Sequence, residues 1–212
     1  MGVKLFTGCL LLKFEQPNNP QLERRDTMSQ ALAHANNYTE EDYYKLPENV
    51  RAELIDGQFY YMSAPSRIHQ EILMALAKTI ANYIDQKKGN CKIYPAPFAV
   101  KLFEDDNKMI VEPDISVICD PNKLTDRGCT GAPDWIIEIV SPSNSSNDHV
   151  RKLNLYMDAG VREYWIVDPL SKKIFVYHLE KTNFKADCYT FQDKIKVNIY
   201  DDLWIDFKEL QL

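Results

Sequence analysis

Apolar residues recur along this chain with two different periods, and the change from one to the other marks its elements. Ile68, Ile72, Leu76, Ile80 and Ile84 form a stripe at helical spacing, with Leu73 and Ala77 beside it. That stripe predicts a long amphipathic helix from a Ser66 cap to about Gln86, with Lys87, Lys88 and Gly89 as its C-terminal end. Upstream, apolar residues at 52–55 and 59–62 flank Asp56-Gly57, a tight-hairpin signal. Thr39 before Glu40, Glu41 and Asp42 predicts a short helix that stops near Pro47.

Beyond the long helix, strands are expected over 91–94, 98–103 and 109–119, with a turn at Asp105-Asp106-Asn107 before the third. A polar loop over 121–131 leads to a compact strand over 135–140. A helix capped by Ser146 or Asn147 runs to Ala159 and is closed by Gly160. A hairpin over 161–167 and 173–178 turns at Asp168-Pro169, and strands over 186–191 and 194–200 finish the pattern. The order predicts an α/β fold, a sheet flanked by a few helices.

Two apolar strands carry a carboxylate where a half-buried strand normally holds none. In the 109–119 strand, side-chain alternation puts Glu112 and Asp114 on one face, and Pro113 confines the segment to an edge or a strand start. In the 135–140 strand, Trp135, Ile137 and Ile139 face one way and Ile136, Glu138 and Val140 the other, and Glu138 is the only charge. Buried carboxylates are costly unless neutralised, paired or bound to a metal. Two of them followed one element later by Lys152 suggest a divalent-cation site, since hard cations prefer carboxylate oxygens. Taken singly, each residue has a plainer explanation. Glu138 would pair with a lysine or arginine, Asp114 would cap a turn, and Lys152 would be a surface lysine on Asp148. His69 and His149 would be solvated or satisfied in the core.

The chain has 212 residues, enough for one domain with a real core, and 45% of them are hydrophobic. A net charge of −6 argues against a protein that coats nucleic acid through clustered lysine and arginine, and leaves room for a nuclease with acidic metal ligands. Five cysteines at scattered positions, none with CxxC spacing, predict reduced thiols and a cytoplasmic protein. No run approaches membrane-spanning length. Residues 1–37 are expected to be a peripheral N-terminal extension, with a short apolar patch at Cys9-Leu10-Leu11-Leu12 and Met28 as an alternative start, and residues 38–212 a single domain.

Read as strings, Glu112-Pro113-Asp114, then Asp134 to Ser143, then Asp148, Lys152, Tyr156 and the run from Ala159 to Pro169 resemble the Uma-type restriction endonucleases, a branch of the PD-(D/E)XK nuclease superfamily. Glu53-Leu54-Ile55-Asp56-Gly57 and Pro65 with His69 match as well, so the resemblance spans roughly residues 38–180. It implies a restriction-endonuclease-like mixed central sheet and a metal-dependent endonuclease acting on DNA, with Asp114, Glu138 and the backbone carbonyl of Ile139 holding Mg²⁺ or Mn²⁺. The E-X-K pattern would place lysine at Val140, so the catalytic lysine is taken from the next helix, as Lys152. Glu53 resembles the additional acid of the superfamily, placed for a second metal or a metal-bound water. His69 would approach the phosphate or orient Glu53, and Tyr164 and Ser141 would be supporting donors. A homodimer is expected of a double-strand cutter. The alternative is a catalytically inactive module of the same fold that binds nucleic acid or protein.

Overall fold

The structure is a computed structural model that describes residues 37–141, 146–180 and 184–210. The expectations for residues 1–36, with the Cys9 patch and the start at Met28, lie outside the described residues.

Short α1 (Glu40–Tyr43) is held by a capping box between Thr39 and Asp42. Strands β1 (Ala52–Ile55) and β2 (Gln58–Tyr61) pair antiparallel through Asp56-Gly57. Asp56 and Gly57 have φ of 53° and 73°, the left-handed pair that a two-residue hairpin with the right twist requires. Long α2 (Arg67–Lys87) starts at Ser66, whose Oγ accepts from the His69 backbone N–H. It ends with Lys88, not Gly89, in the left-handed conformation.

The remaining strands are β3 (Lys92–Pro95), β4 (Val100–Lys101), β5 (Ile110–Val111), β6 (Ile115–Ile118), β7 (Leu124–Thr125), β8 (Gly128–Thr130), β9 (Trp135–Ile139), β10 (Glu163–Asp168), β11 (Lys173–His178), β12 (Lys185–Thr190), β13 (Lys194–Lys196) and β14 (Trp204–Asp206), with α3 (Ser146–Ala159) between β9 and β10. Among the described residues they form two six-stranded sheets, ordered β2-β1-β5-β4-β8-β7 and β12-β11-β10-β9-β6-β3, and a β13–β14 hairpin. Both large sheets are mixed: β9 runs parallel to β10, and β4 parallel to β8.

The single strand expected over 109–119 is broken. Pro113 has no N–H to donate, so the ladder stops there; β5 pairs in the first sheet and β6 in the second. Glu112 and Asp114 therefore stand at a crossing between sheets. Three strands escaped the sequence pattern, β7, β8 and β14. The loop over 121–131 contains β7 and β8, each too short to show a period, and the strand over 194–200 is only β13, paired with β14.

The second sheet is covered on both faces. α2 buries Ile72, Leu76 and Ile80 against Ile115, Val117, Trp135, Ile137, Trp165 and Val167. On the opposite face, Ile118, Ile136, Tyr164 and Ile166 meet Tyr156 of α3 and Val100 and Val111 of the first sheet. The period-two alternation of β9 thus sends Trp135 and Ile137 to one core and Ile136 to the other, with Glu138 on the α3 side.

The expectation of reduced thiols is corrected: Cys91 and Cys119 form a disulfide. Strands β3 and β6 are antiparallel with Lys92 opposite Ile118, so the residues just outside that pair meet across the ladder. Their separation of 28 residues hides this from spacing alone, and the thiol argument for a cytoplasmic location falls with it. Among the described residues, Cys129 and Cys188 are free, and no helix is long and apolar enough to cross a membrane.

Candidate active site

Five side chains singled out from the sequence line one cleft of about 680 Å³: Glu53, His69, Asp114, Glu138 and Lys152. β1 contributes Glu53, the crossing before β6 contributes Asp114, β9 contributes Glu138, α2 contributes His69 from its first turn, and α3 contributes Lys152. All five are less than 9% exposed. Ile139 and Ser141 also line the cleft.

Lys152 ties two of the acids together. Its Nζ donates to Glu53 Oε1 and to Glu138 Oε1, each at 2.9 Å. Tyr156, one helical turn further on and fully buried, donates its hydroxyl to the same Glu138 oxygen at 2.7 Å. Residues four apart on a helix share a face, so α3 presents both donors together. The Glu112 backbone N–H completes the Glu53 side, 3.1 Å from Oε1.

Asp114 is held separately. The Ile139 backbone N–H donates to Asp114 Oδ2 at 2.7 Å, and His69 Nε2 lies 3.1 Å from the same oxygen. An ionised carboxylate only accepts, so the imidazole proton belongs on Nε2; His69 Nδ1 is buried without a hydrogen-bond partner among the described residues. His69 therefore orients Asp114 and makes no bond to Glu53, one of the two roles the sequence left open for it.

Burial pushes the Glu138 carboxyl up to about 7. The Lys152 ammonium opposes that, and the Asp114 and Glu53 charges reinforce it. Burial alone would lower the Lys152 ammonium; Glu138 and Glu53 outweigh it and hold Lys152 well above the ordinary lysine value. The Tyr156 hydroxyl is raised first by burial and then by Glu138, so it stays a donor.

Glu112, expected on the same face as Asp114, goes elsewhere. It accepts from Arg51 Nε and Nη2, each at 3.0 Å, and from the Tyr43 hydroxyl at 2.7 Å. This cluster ties α1 and the residue before β1 to the crossing that carries Asp114. Tyr156, Arg51 and Tyr43 were not anticipated as site residues. Tyr156 stood in the string that carries the resemblance, one helical turn from Lys152, but without a role of its own. Tyr164 packs edge-on against the Tyr156 ring, with centroids 4.9 Å apart.

Among the described residues, no three His, Cys, Asp or Glu side chains form a ready-made metal cluster. The donor set still suits a hard cation that retains waters. Asp114 Oδ1 and Glu138 Oε2 accept no hydrogen bond from the described residues, since the bonds to these side chains go to Oδ2 and Oε1.

A family model described as "Uma2: Putative restriction endonuclease" matches residues 40–207. The chain belongs to the Uma2 family. The match spans both sheets and every element that lines the cleft. This Uma2 chain is 30% identical over 141 residues to "Uncharacterized protein slr1290" of Synechocystis sp. (strain ATCC 27184 / PCC 6803 / Kazusa), an alignment covering 65% of this chain and 72% of that protein. It superposes with a TM-score of 0.66 on the crystal structure of a putative nuclease belonging to DUF820 from Anabaena variabilis ATCC 29413, at 23% identity, covering 81% of this chain and 96% of the other. The restriction-endonuclease-like fold expected from the sequence is borne out, and family and fold support a nuclease function.

Proposed function

We propose that this Uma2 protein is a divalent-metal-dependent endonuclease that hydrolyses phosphodiester bonds in DNA. The observation that supports this best is Lys152: a helix lysine, buried, within 2.9 Å of both Glu53 and Glu138 in the cleft that also holds Asp114. A lysine from α3 thus takes the place of the strand lysine that Val140 lacks.

Asp114, Glu138 and the Ile139 carbonyl are the residues that would hold Mg²⁺ or Mn²⁺, which supplies charge neutralisation at the phosphate and a more acidic water. His69 and the Ile139 N–H fix the Asp114 carboxylate. Tyr156 fixes Glu138. Lys152 keeps its proton and offers it to the negative charge that grows on the phosphate oxygens. Glu53 holds Lys152 in line by sharing its ammonium. A second reading, an inactive module of the same fold that binds nucleic acid or protein, draws on the same ion pairs, because a purely structural network would also lock a lysine between two acids.

Nicking of supercoiled plasmid by the purified protein, with Mg²⁺ or Mn²⁺ against EDTA and against Asp114→Ala, separates the two. Cleavage that needs both the metal and Asp114 establishes the nuclease. Intact plasmid under every condition, with metal binding also absent by calorimetry, replaces it with the binding module. A dimer is part of the proposal, since two strands need two sites, and light scattering measures it.

A further inference from the structure

The cleft carries more than its acids and lysine. Edge strand β2 brings Tyr60 and Tyr61 to its wall. Tyr60 is 38% exposed and Tyr61 69%, and neither is needed to close a core. Tyr60 is the cross-strand partner of Glu53, so its ring shares a sheet face with the Glu53–Lys152 pair. On the facing helix, the Arg151 guanidinium lies over the Tyr60 ring, 4.1 Å from its centroid, and Arg151 is the residue next to Lys152. A cation stacked on an aromatic ring is therefore built into the wall of the cleft beside the proposed catalytic groups.

Such a surface is of little use to an intact double helix. In a duplex the base faces are covered by their neighbours, and a protein meets only base edges and phosphates. An unpaired base exposes its whole face, and tyrosine rings bind it by stacking with little regard to sequence, while guanidinium groups add cation–π and phosphate contacts. Scattered exposed tyrosines need no explanation on a protein surface. Tyr61, next in the strand, turns to the opposite sheet face with Phe59, whereas Tyr60 stands in the wall of the candidate active site, on the face of Glu53 and capped by an arginine.

Resting on the nuclease reading, we propose that Tyr60, with Arg151, forms a stacking platform for an unpaired nucleotide, so that the cleft selects single-stranded DNA, or DNA locally unpaired, over intact duplex. Base specificity is not expected, because stacking is nearly blind to sequence.

The test is fluorescence anisotropy in EDTA, where no cleavage intervenes, with one labelled oligonucleotide offered as a single DNA strand, as a blunt duplex and as the RNA strand of the same sequence. The single DNA strand should bind about tenfold or more tighter than the duplex. Tyr60→Ala should weaken single-strand binding by roughly 5- to 100-fold, the range that loss of one stacked base gives, and leave duplex binding within about twofold, whereas Tyr61→Ala, on the other face of the strand, should leave both within about twofold. Tyr60→Phe keeps the ring and should keep the affinity. Tyr60→Leu keeps apolar bulk without an aromatic face, so it should show the same loss as Tyr60→Ala and answers the question even if Tyr60→Ala folds poorly. Duplex bound as tightly as the single strand overturns the proposal, as does equal weakening of both forms by Tyr60→Ala. RNA bound more tightly than DNA overturns the choice of DNA. The plasmid assay reports on the nuclease reading independently: metal-dependent nicking with duplex bound as tightly as the single strand removes the platform alone, whereas no binding to any strand together with no nicking removes both.

Discussion

Replacing Lys152 by methionine leaves Glu53 and Glu138 buried without their shared cation. Removing one partner of a buried ion pair costs roughly 3–5 kcal/mol, and urea unfolding should show a loss of that size together with loss of nicking. Adding Glu53→Gln and Glu138→Gln to Lys152→Met should restore much of the stability and none of the activity. Glu138 also sets a pH dependence. Burial raises its folded-state carboxyl to about 7 from an ordinary 4.5, so folding favours the protonated form. The stability this contributes is present below about pH 4.5 and is lost as pH rises through about 7. Melting temperatures of wild type and Glu138→Gln, measured from about pH 4 to 8, should differ in slope across that window, the variant being flatter. Activity should run the other way, rising as Glu138 ionises. At this scale the chemistry was largely legible: a charge inside an apolar strand, as at Glu138, is conspicuous because burial makes it expensive. Tyr156 was not, because a tyrosine on a helix's apolar face reads as packing until its hydroxyl is seen to have a partner.

Elements were legible where they were long. The α2 stripe and the β9 alternation repeat often enough to show a period, whereas β7 and β8, with two and three residues, do not. The β5–β6 break came from a proline whose effect was foreseen as an edge and proved to be a change of sheet. Register was the other hidden quantity, and the disulfide follows from it. Replacing Cys91 and Cys119 by serine should cost roughly 3–4 kcal/mol, the loop-closure value for a sequence separation of 28, and reductant should lower the melting temperature of wild type but not of the double variant. β8 offers a sharper probe of close packing. Gly128 sits at φ 140°, and a Cβ there would meet the Ala99 carbonyl oxygen at 2.1 Å. Gly128→Ala should therefore destabilise by several kcal/mol through both backbone strain and overpacking, seen as a large drop in unfolding midpoint.

For the molecule as a whole, the C-terminal part is anchored by one buried acid. Glu163 at the start of β10 accepts from Trp165 Nε1 at 2.7 Å and from the backbone N–H groups of Asn198 and Ile199 at 2.7 and 2.9 Å. Beyond it, Ile195, Val197, Ile205 and Phe207 join the core on the α2 face. Glu163→Ala would orphan three donors, each worth about 1–3 kcal/mol when buried unpaired. The expected outcome is a protein that loses amide-exchange protection at Val197 to Ile199 before the sheets open, followed by mass spectrometry.

The groups in the cleft also come from separate parts of the body: Glu53 from one sheet, Glu138 from the other, Asp114 from the proline crossing between them, His69 and Lys152 from the helices on either side. No single element holds a working subset. A chain emerging from the ribosome carries Glu53 and His69 long before it carries Lys152, and until α3 docks the acids have no ammonium between them. For a nuclease assembled in this way, the ability to cut arrives only with the completed fold.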